Sequence, residues 1–111
     1  MAEDFDDGFE MQEREDGART VLVLQGELDL ATVDAVRERL EALRAAARPA
    51  VLDLDGLTFM DSTGIRLVLE AAGQAAQDGW RFSLTRGSGA VQRIFAAARI
   101  DDRLPYDGAQ R

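Results

Sequence analysis

Asp61-Ser62-Thr63-Gly64 is the stretch of this chain whose residue types and spacing could do chemistry. It follows an apolar and acidic run, Val51 to Met60, and opens a segment of helical periodicity. A serine at a helix start stands beside backbone N–H groups that lack intrahelical acceptors, at the positive end of the helix dipole. A phosphate on Ser62 would be placed to meet those donors. Gly64 has no side chain to obstruct that approach. Arg66, four residues on, is spaced to pair with a phosphoserine. A plainer reading stands beside this one: Asp, Ser and Thr are good N-caps, and either Asp61 or Ser62 could be here only to start a helix.

Composition removes most other chemistry. The 111 residues contain no cysteine and no histidine, and all 13 basic residues are arginine. Thiolate nucleophiles, cysteine metal sites, the usual general base near neutral pH, Schiff-base lysines and the P-loop lysine are therefore absent. Asp29, Asp53, Asp55 and Asp61 could suggest a magnesium cluster of the receiver-domain kind, but that chemistry also wants a lysine, so no metal and no cofactor is expected. Gly87-Ser88-Gly89 lacks the further glycine and lysine of a phosphate loop and reads as a turn and cap. The net charge is −8, and residues 1–16 hold most of it, with eight acids against Arg14. Nothing resembles a basic stripe for nucleic acid, an acidic chain gains nothing from anionic membranes, and no apolar run approaches a membrane span. The acidic N-terminus is unlike a signal peptide, so a cytoplasmic location is expected.

The elements that must position Ser62 can be read from periodicity. Hydrophobic residues make up 46% of the chain, enough for one domain with a core. Residues 1–8 read as an acidic flexible tail, dispensable for folding, in which Phe5 is the one core-type residue. Phe9 and Met11 alternate with Glu10 and Gln12, Asp16-Gly17 marks a turn, and Thr20 to Gln25 is apolar on both faces. Residues 9–25 are thus a hairpin. Val33, Val36, Leu40, Leu43 and Ala47 predict a helix from Thr32 to Ala47, ended by Arg48-Pro49. Ala50 to Asp55 is a strand, with Gly56 to Met60 a connecting segment. The helix from Asp61 or Ser62 to Gln77 is expected to bury Ile65, Val68, Leu69, Ala72 and Ala76, and Asp78-Gly79 closes it. Trp80 to Thr85 alternates as a strand. A short helix follows with Val91, Ile94, Phe95 and Ala98 inside, then an extended segment at Leu104-Pro105-Tyr106. The order ββαβαβα predicts an α/β domain over residues 9–106 with a mixed, mostly parallel sheet, an antiparallel N-terminal strand and packed helices, followed by a C-terminal tail over 107–111.

Three segments in this order resemble the STAS family, named for sulfate transporters and anti-sigma factor antagonists. Gly26-Glu27-Leu28-Asp29 is similar to its landmark after a hydrophobic strand. Val51 to Gly64 is similar to its central signature, an aspartate-leucine strand, an apolar loop and D-S-[ST]-G. Val91 to Leu104 is similar to its amphipathic third helix and the short strand after it. The resemblance covers roughly residues 9–106. It implies a non-enzymatic antagonist of an anti-sigma factor, with Ser62 as phosphoacceptor, Asp61 as the signature aspartate and Asp29 as the acidic residue on the preceding loop. It also implies partner switching. The unphosphorylated form binds an anti-sigma factor that is itself an ATP-dependent serine kinase and so frees the sigma factor. Phosphorylation expels the antagonist, and a metal-dependent serine phosphatase resets the cycle. Many members continue into a further C-terminal helix, from which this chain departs by stopping at Arg111.

The partner surface expected from this reading is Asp29, Asp61, Ser62, Thr63, Gly64, Arg66, Leu67 and Glu70, with Leu67 as an apolar residue that the buried stripe does not need. Arg66 and Leu67 are equally explained as solvated helix positions. Two other functions compete. One is a constitutive STAS scaffold or subunit of a larger signalling or lipid-transport assembly, which an acceptor serine followed by Thr63-Gly64 disfavours. The other is a carboxylate-based hydrolase, which the missing histidine, cysteine and lysine disfavour.

Overall fold

In the computed structural model, the backbone is described for residues 3–6 and 8–108, and the side chains for 8–108. The chain runs β1 (Glu3–Asp6), β2 (Phe9–Asp16), β3 (Arg19–Leu28), α1 (Val33–Ala45), β4 (Ala50–Met60), α2 (Ser62–Asp78), β5 (Phe82–Leu84) and α3 (Gly89–Ala97). One sheet takes the strands in sequence order, β1-β2-β3-β4-β5. β1–β2 and β2–β3 are antiparallel, and β3–β4 and β4–β5 are parallel. The expected α/β domain with a mixed sheet is therefore what forms. Consecutive parallel strands joined by right-handed crossovers put α1 and α2 on the same face of the sheet. There Phe9, Met11, Leu22, Leu24, Leu52 and Leu54 meet Val36, Leu40, Val68 and Phe95 in one core.

Three expectations need correction. Glu3–Asp6 is not a tail but an edge strand, its backbone paired with Phe9–Met11 of β2. Edge pairing needs only backbone groups, so acidic side chains do not prevent it. Residues 1, 2 and 7, and the side chain of Phe5, lie outside the described residues. Gly56 to Met60 is not a connector but the second half of β4. Two register shifts each place an extra β4 residue against β3, between Asp53 and Gly56 and between Leu57 and Phe59, so the strand bends and continues. Finally, Trp80 precedes β5 rather than opening it. Its indole N–H donates to the Arg48 carbonyl at 2.9 Å, and its ring stacks on Phe82. The segment after α3 makes one bridge, Tyr106 to Leu84, and Tyr106 lies under the Arg86 guanidinium.

Gly26 shows why the landmark, which falls at the end of β3 rather than after it, starts with glycine. Its φ is +94°, and a Cβ there would sit 1.8 Å from the Gly8 carbonyl oxygen, which accepts the Glu27 N–H. Only a residue without Cβ lets the start of β2 close over this point.

Candidate functional site

The C-terminal ends of β3 and β4 converge on two adjacent turns. β3 ends at Leu28 and enters the Asp29–Thr32 loop. β4 ends at Met60, and Asp61 precedes α2, which starts at Ser62. The Asp61 N–H donates to the Leu28 carbonyl at 3.1 Å, which fixes one turn against the other.

Asp61, not Ser62, is the N-cap. Its Oδ1 accepts from the Thr63 N–H at 2.9 Å, the Gly64 N–H at 3.3 Å and the Thr63 hydroxyl. Its Oδ2 accepts from the Leu30 N–H at 3.2 Å, across to the other loop. Desolvation pushes the Asp61 carboxyl upward, but the hydrogen bonds from Thr63, Gly64 and Leu30 outweigh it and hold it below the usual carboxylate range. Asp29 is committed within its own loop, accepting from the Ala31 N–H at 3.0 Å and from the Thr32 hydroxyl. It frames the site without facing Ser62 through any hydrogen bond among the described residues.

Ser62 and Thr63 are distinguished by this network. The Thr63 hydroxyl is spent on Asp61, and the residue is half-buried. Ser62 is exposed, and its hydroxyl makes no hydrogen bond among the described residues. Of the two neighbouring hydroxyls, that of Ser62 is the exposed and uncommitted one.

Gly64 is buried, and its role differs from the expected one. A Cβ there would lie 2.5 Å from Met60 Cγ and 3.2 Å from Leu28 Cδ2. The glycine lets the first turn of α2 settle onto β3 and β4, and it offers a partner no surface. Leu67 is likewise not a contact residue: it is 2% exposed, in the core. The buried stripe of α2 is Gly64, Leu67, Val68 and Ala71, and Leu69 is 41% exposed instead. Glu70 is exposed but paired with Arg37 of α1 at 3.2 Å. Arg66 is exposed and carries no hydrogen bond or ion pair among the described residues.

Ser62, Arg66, Leu69 and Gly73 are spaced along one outward face of α2. Leu30, 74% exposed, stands at the neighbouring loop, tied by its N–H to Asp61. Leu30 and Leu69 were not among the expected contact residues. The spacing of Leu69, seven after Ser62, was the available signal; Leu30 follows the G-E-L-D landmark directly. Among the described residues no group of Asp and Glu side chains could hold a metal ion, and no helix is long and apolar enough to cross a membrane.

Comparison with known proteins adds three findings. A family model described as "Mlab, STAS domain" matches residues 11–106. A search of curated proteins gives no match. Among solved structures, the fold is similar to an anti-sigma factor antagonist from Mycobacterium paratuberculosis, 21% identical, with a TM-score of 0.78 over 93% of this chain and 88% of that one. It is also similar to the anti-sigma factor antagonist SpoIIAA in its unphosphorylated form, 25% identical, with a TM-score of 0.70 over 91% of this chain and 89% of that one. The Bacillus cell fate determinant SpoIIAA in its phosphorylated form is 22% identical, with a TM-score of 0.67 over 91% and 92%.

Proposed function

The chain belongs to the STAS domain family, and we propose that within it the chain is an antagonist of an anti-sigma factor, switched by phosphorylation of Ser62. The observation that carries this reading is the contrast at the start of α2. The Ser62 hydroxyl is exposed and uncommitted directly after the capping Asp61, while the Thr63 hydroxyl is held by that cap. The antagonist SpoIIAA, whose fold this chain shares, exists in unphosphorylated and phosphorylated forms.

In this reading the unmodified chain binds a cytoplasmic anti-sigma factor through Leu30, Ser62, Arg66 and Leu69, and the sigma factor is released. The anti-sigma factor is also the kinase. The Ser62 oxygen attacks the γ-phosphorus of ATP, ADP leaves, and the hydroxyl proton passes to a base of the kinase. The phosphate adds about −1.5 to −2 charges beside Asp61 at the centre of this surface and ends the complex. A serine phosphatase restores the hydroxyl. The chain itself binds no cofactor and catalyses nothing.

The test is intact mass and peptide mapping after incubation with ATP and candidate anti-sigma factor kinases, alongside binding of both forms. A single phosphate on Ser62, with weaker binding of the modified chain, is the expected result. Phosphate on Thr63 or Ser88, or equal binding of both forms, defeats the reading. A chain that binds its partner and is never modified is instead a fixed subunit.

A further inference from the structure

We infer that Arg66, and not the start of α2, is the group that receives a phosphate on Ser62. The inference takes its relevance from the phosphoswitch reading above. Its test does not depend on that reading.

Beyond the N–H of Ser62 itself, which has no hydrogen bond among the described residues, the donors at the start of α2 are already spent. The Thr63 and Gly64 N–H groups and the Thr63 hydroxyl converge on one oxygen of Asp61, and the Ile65 N–H donates to the Asp61 carbonyl. A phosphate could take these donors only by displacing a carboxylate that also holds the Leu30 N–H. It would do so while bringing like charge against it. The chain's own cap thus leaves the anion-binding property of a helix start with a single N–H, that of Ser62, and no charge-bearing partner there.

The cations tell the other half. Arg66 is exposed and unpaired among the described residues, whereas Arg37 and Arg44 are engaged with Glu70 and Asp78 of α2. Arg66 lies four residues after Ser62 on a continuous helix, the spacing at which side chains are neighbours. Helical side chains lean toward the N-terminus, so Arg66 leans back over the turn that carries Ser62. A guanidinium presents a planar fork of donors that matches phosphate oxygens. The phosphate therefore turns along α2 to Arg66, leaving the Asp61 cap and the Leu30 tie in place.

The test installs phosphoserine at position 62 by genetic encoding, so no kinase or partner is needed. The second ionisation of the phosphate is then followed by phosphorus NMR in the wild-type chain and in Arg66→Gln. Pairing with Arg66 should place the wild-type pKa lower by roughly 0.15–0.4 unit at low salt. The gap should close at about 1 M salt, and Arg66→Lys should recover part of it. Arg66→Gln is at an exposed, unpartnered position, and the unmodified variant should melt with the wild type. Coincident titration curves overturn the inference, whether or not any anti-sigma factor binds. A kinase that ignores Ser62 would defeat the phosphoswitch reading and leave this titration untouched.

Discussion

Asp61 and Leu30, 31 positions apart, are joined by a hydrogen bond of 3.2 Å from the Leu30 N–H to the second oxygen of the Asp61 carboxylate. One side chain therefore does two things. It caps α2, and it holds the loop after β3, with its exposed leucine, beside Ser62. The two parts of the proposed binding surface are kept in register by one residue, through this carboxylate and through its N–H to the Leu28 carbonyl.

Replacing that carboxylate by an amide separates the two roles. In Asp61→Asn the remaining oxygen can still accept from Thr63 and Gly64, but the NH2 meets the Leu30 N–H donor to donor. The variant should lose about 1 kcal/mol, and hydrogen exchange at the Leu30 amide should quicken while the start of α2 stays protected. The pH dependence follows from sign. The carboxyl is held lower in the folded chain than in the unfolded one. Its contribution is complete above the unfolded value, about 3.9, and is lost as pH falls through the folded value. The melting-temperature gap between wild type and variant should be full near neutrality and narrow in acid below about pH 4. A gap that widens in acid would contradict this assignment.

Leu67 and Leu69 should respond in opposite ways. Leu67→Ala removes a buried side chain and should cost about 2–5 kcal/mol. Leu69→Asp changes an exposed position and should shift stability by about 0.5 kcal/mol or less, while weakening binding to the anti-sigma factor. Thermal melts and a binding titration on the two variants check this. Equal binding by Leu69→Asp and wild type would remove Leu69 from the surface.

These two leucines also show where the sequence stops being legible. The hairpin, the helices and the parallel strands were readable because Phe9/Met11 alternate, Val33/Val36/Leu40/Leu43 keep helical spacing, and Asp16-Gly17 and Asp78-Gly79 punctuate them. α2 gave no such phase. Ile65, Leu67, Val68 and Leu69 go most of the way round the helix, so apolar type alone does not choose a face. Gly64 chooses it, because a side chain there would run into Met60 and Leu28, and Ala71 is buried on the same face. Smallness is a property of the gap between elements, which no single-chain pattern displays. β4 was cut short for a related reason: the extra residues at its bulges break the alternation that marks a strand. Asp61 and Ser62 were legible as a candidate site because they are adjacent at a helix start, whereas Asp29, 32 positions before Asp61, entered it only through the family resemblance. Leu30 was not legible, because its importance comes from a hydrogen bond made across the fold.

Gly64→Ala should be destabilising by about 1–3 kcal/mol, the usual cost of overpacking. The added methyl would fall 2.5 Å from Met60 Cγ, and Met60 is itself buried. If the glycine serves packing, shrinking its neighbour should help, and Gly64→Ala with Met60→Ala should lose less than the sum of the two single variants. Simple additivity in denaturant melts would show that the close contact is not the cause.

Ser62 and Thr63 give the sharpest contrast. Ser62 is the first residue of α2, exposed, with no hydrogen bond from its hydroxyl among the described residues. Ser62→Ala therefore removes nothing that supports the fold and should melt within about 0.5 kcal/mol of wild type. It should bind the anti-sigma factor and resist its kinase. Thr63→Ala deletes a hydroxyl bonded to the cap and should cost about 1 kcal/mol. The backbone N–H of residue 63 still reaches Asp61, so the helix start survives and Ser62 should still be modified. Ser62→Asp places one negative charge at the exposed position, less than a phosphate carries at neutral pH. It should melt near wild type and bind at least about tenfold more weakly, each decade being worth about 1.4 kcal/mol. The three variants together assign the effect. Losing phosphorylation in Thr63→Ala but not in Ser62→Ala would put the acceptor at the wrong hydroxyl. Unfolding of Ser62→Asp would mean that the charge acts on the fold rather than on the interface.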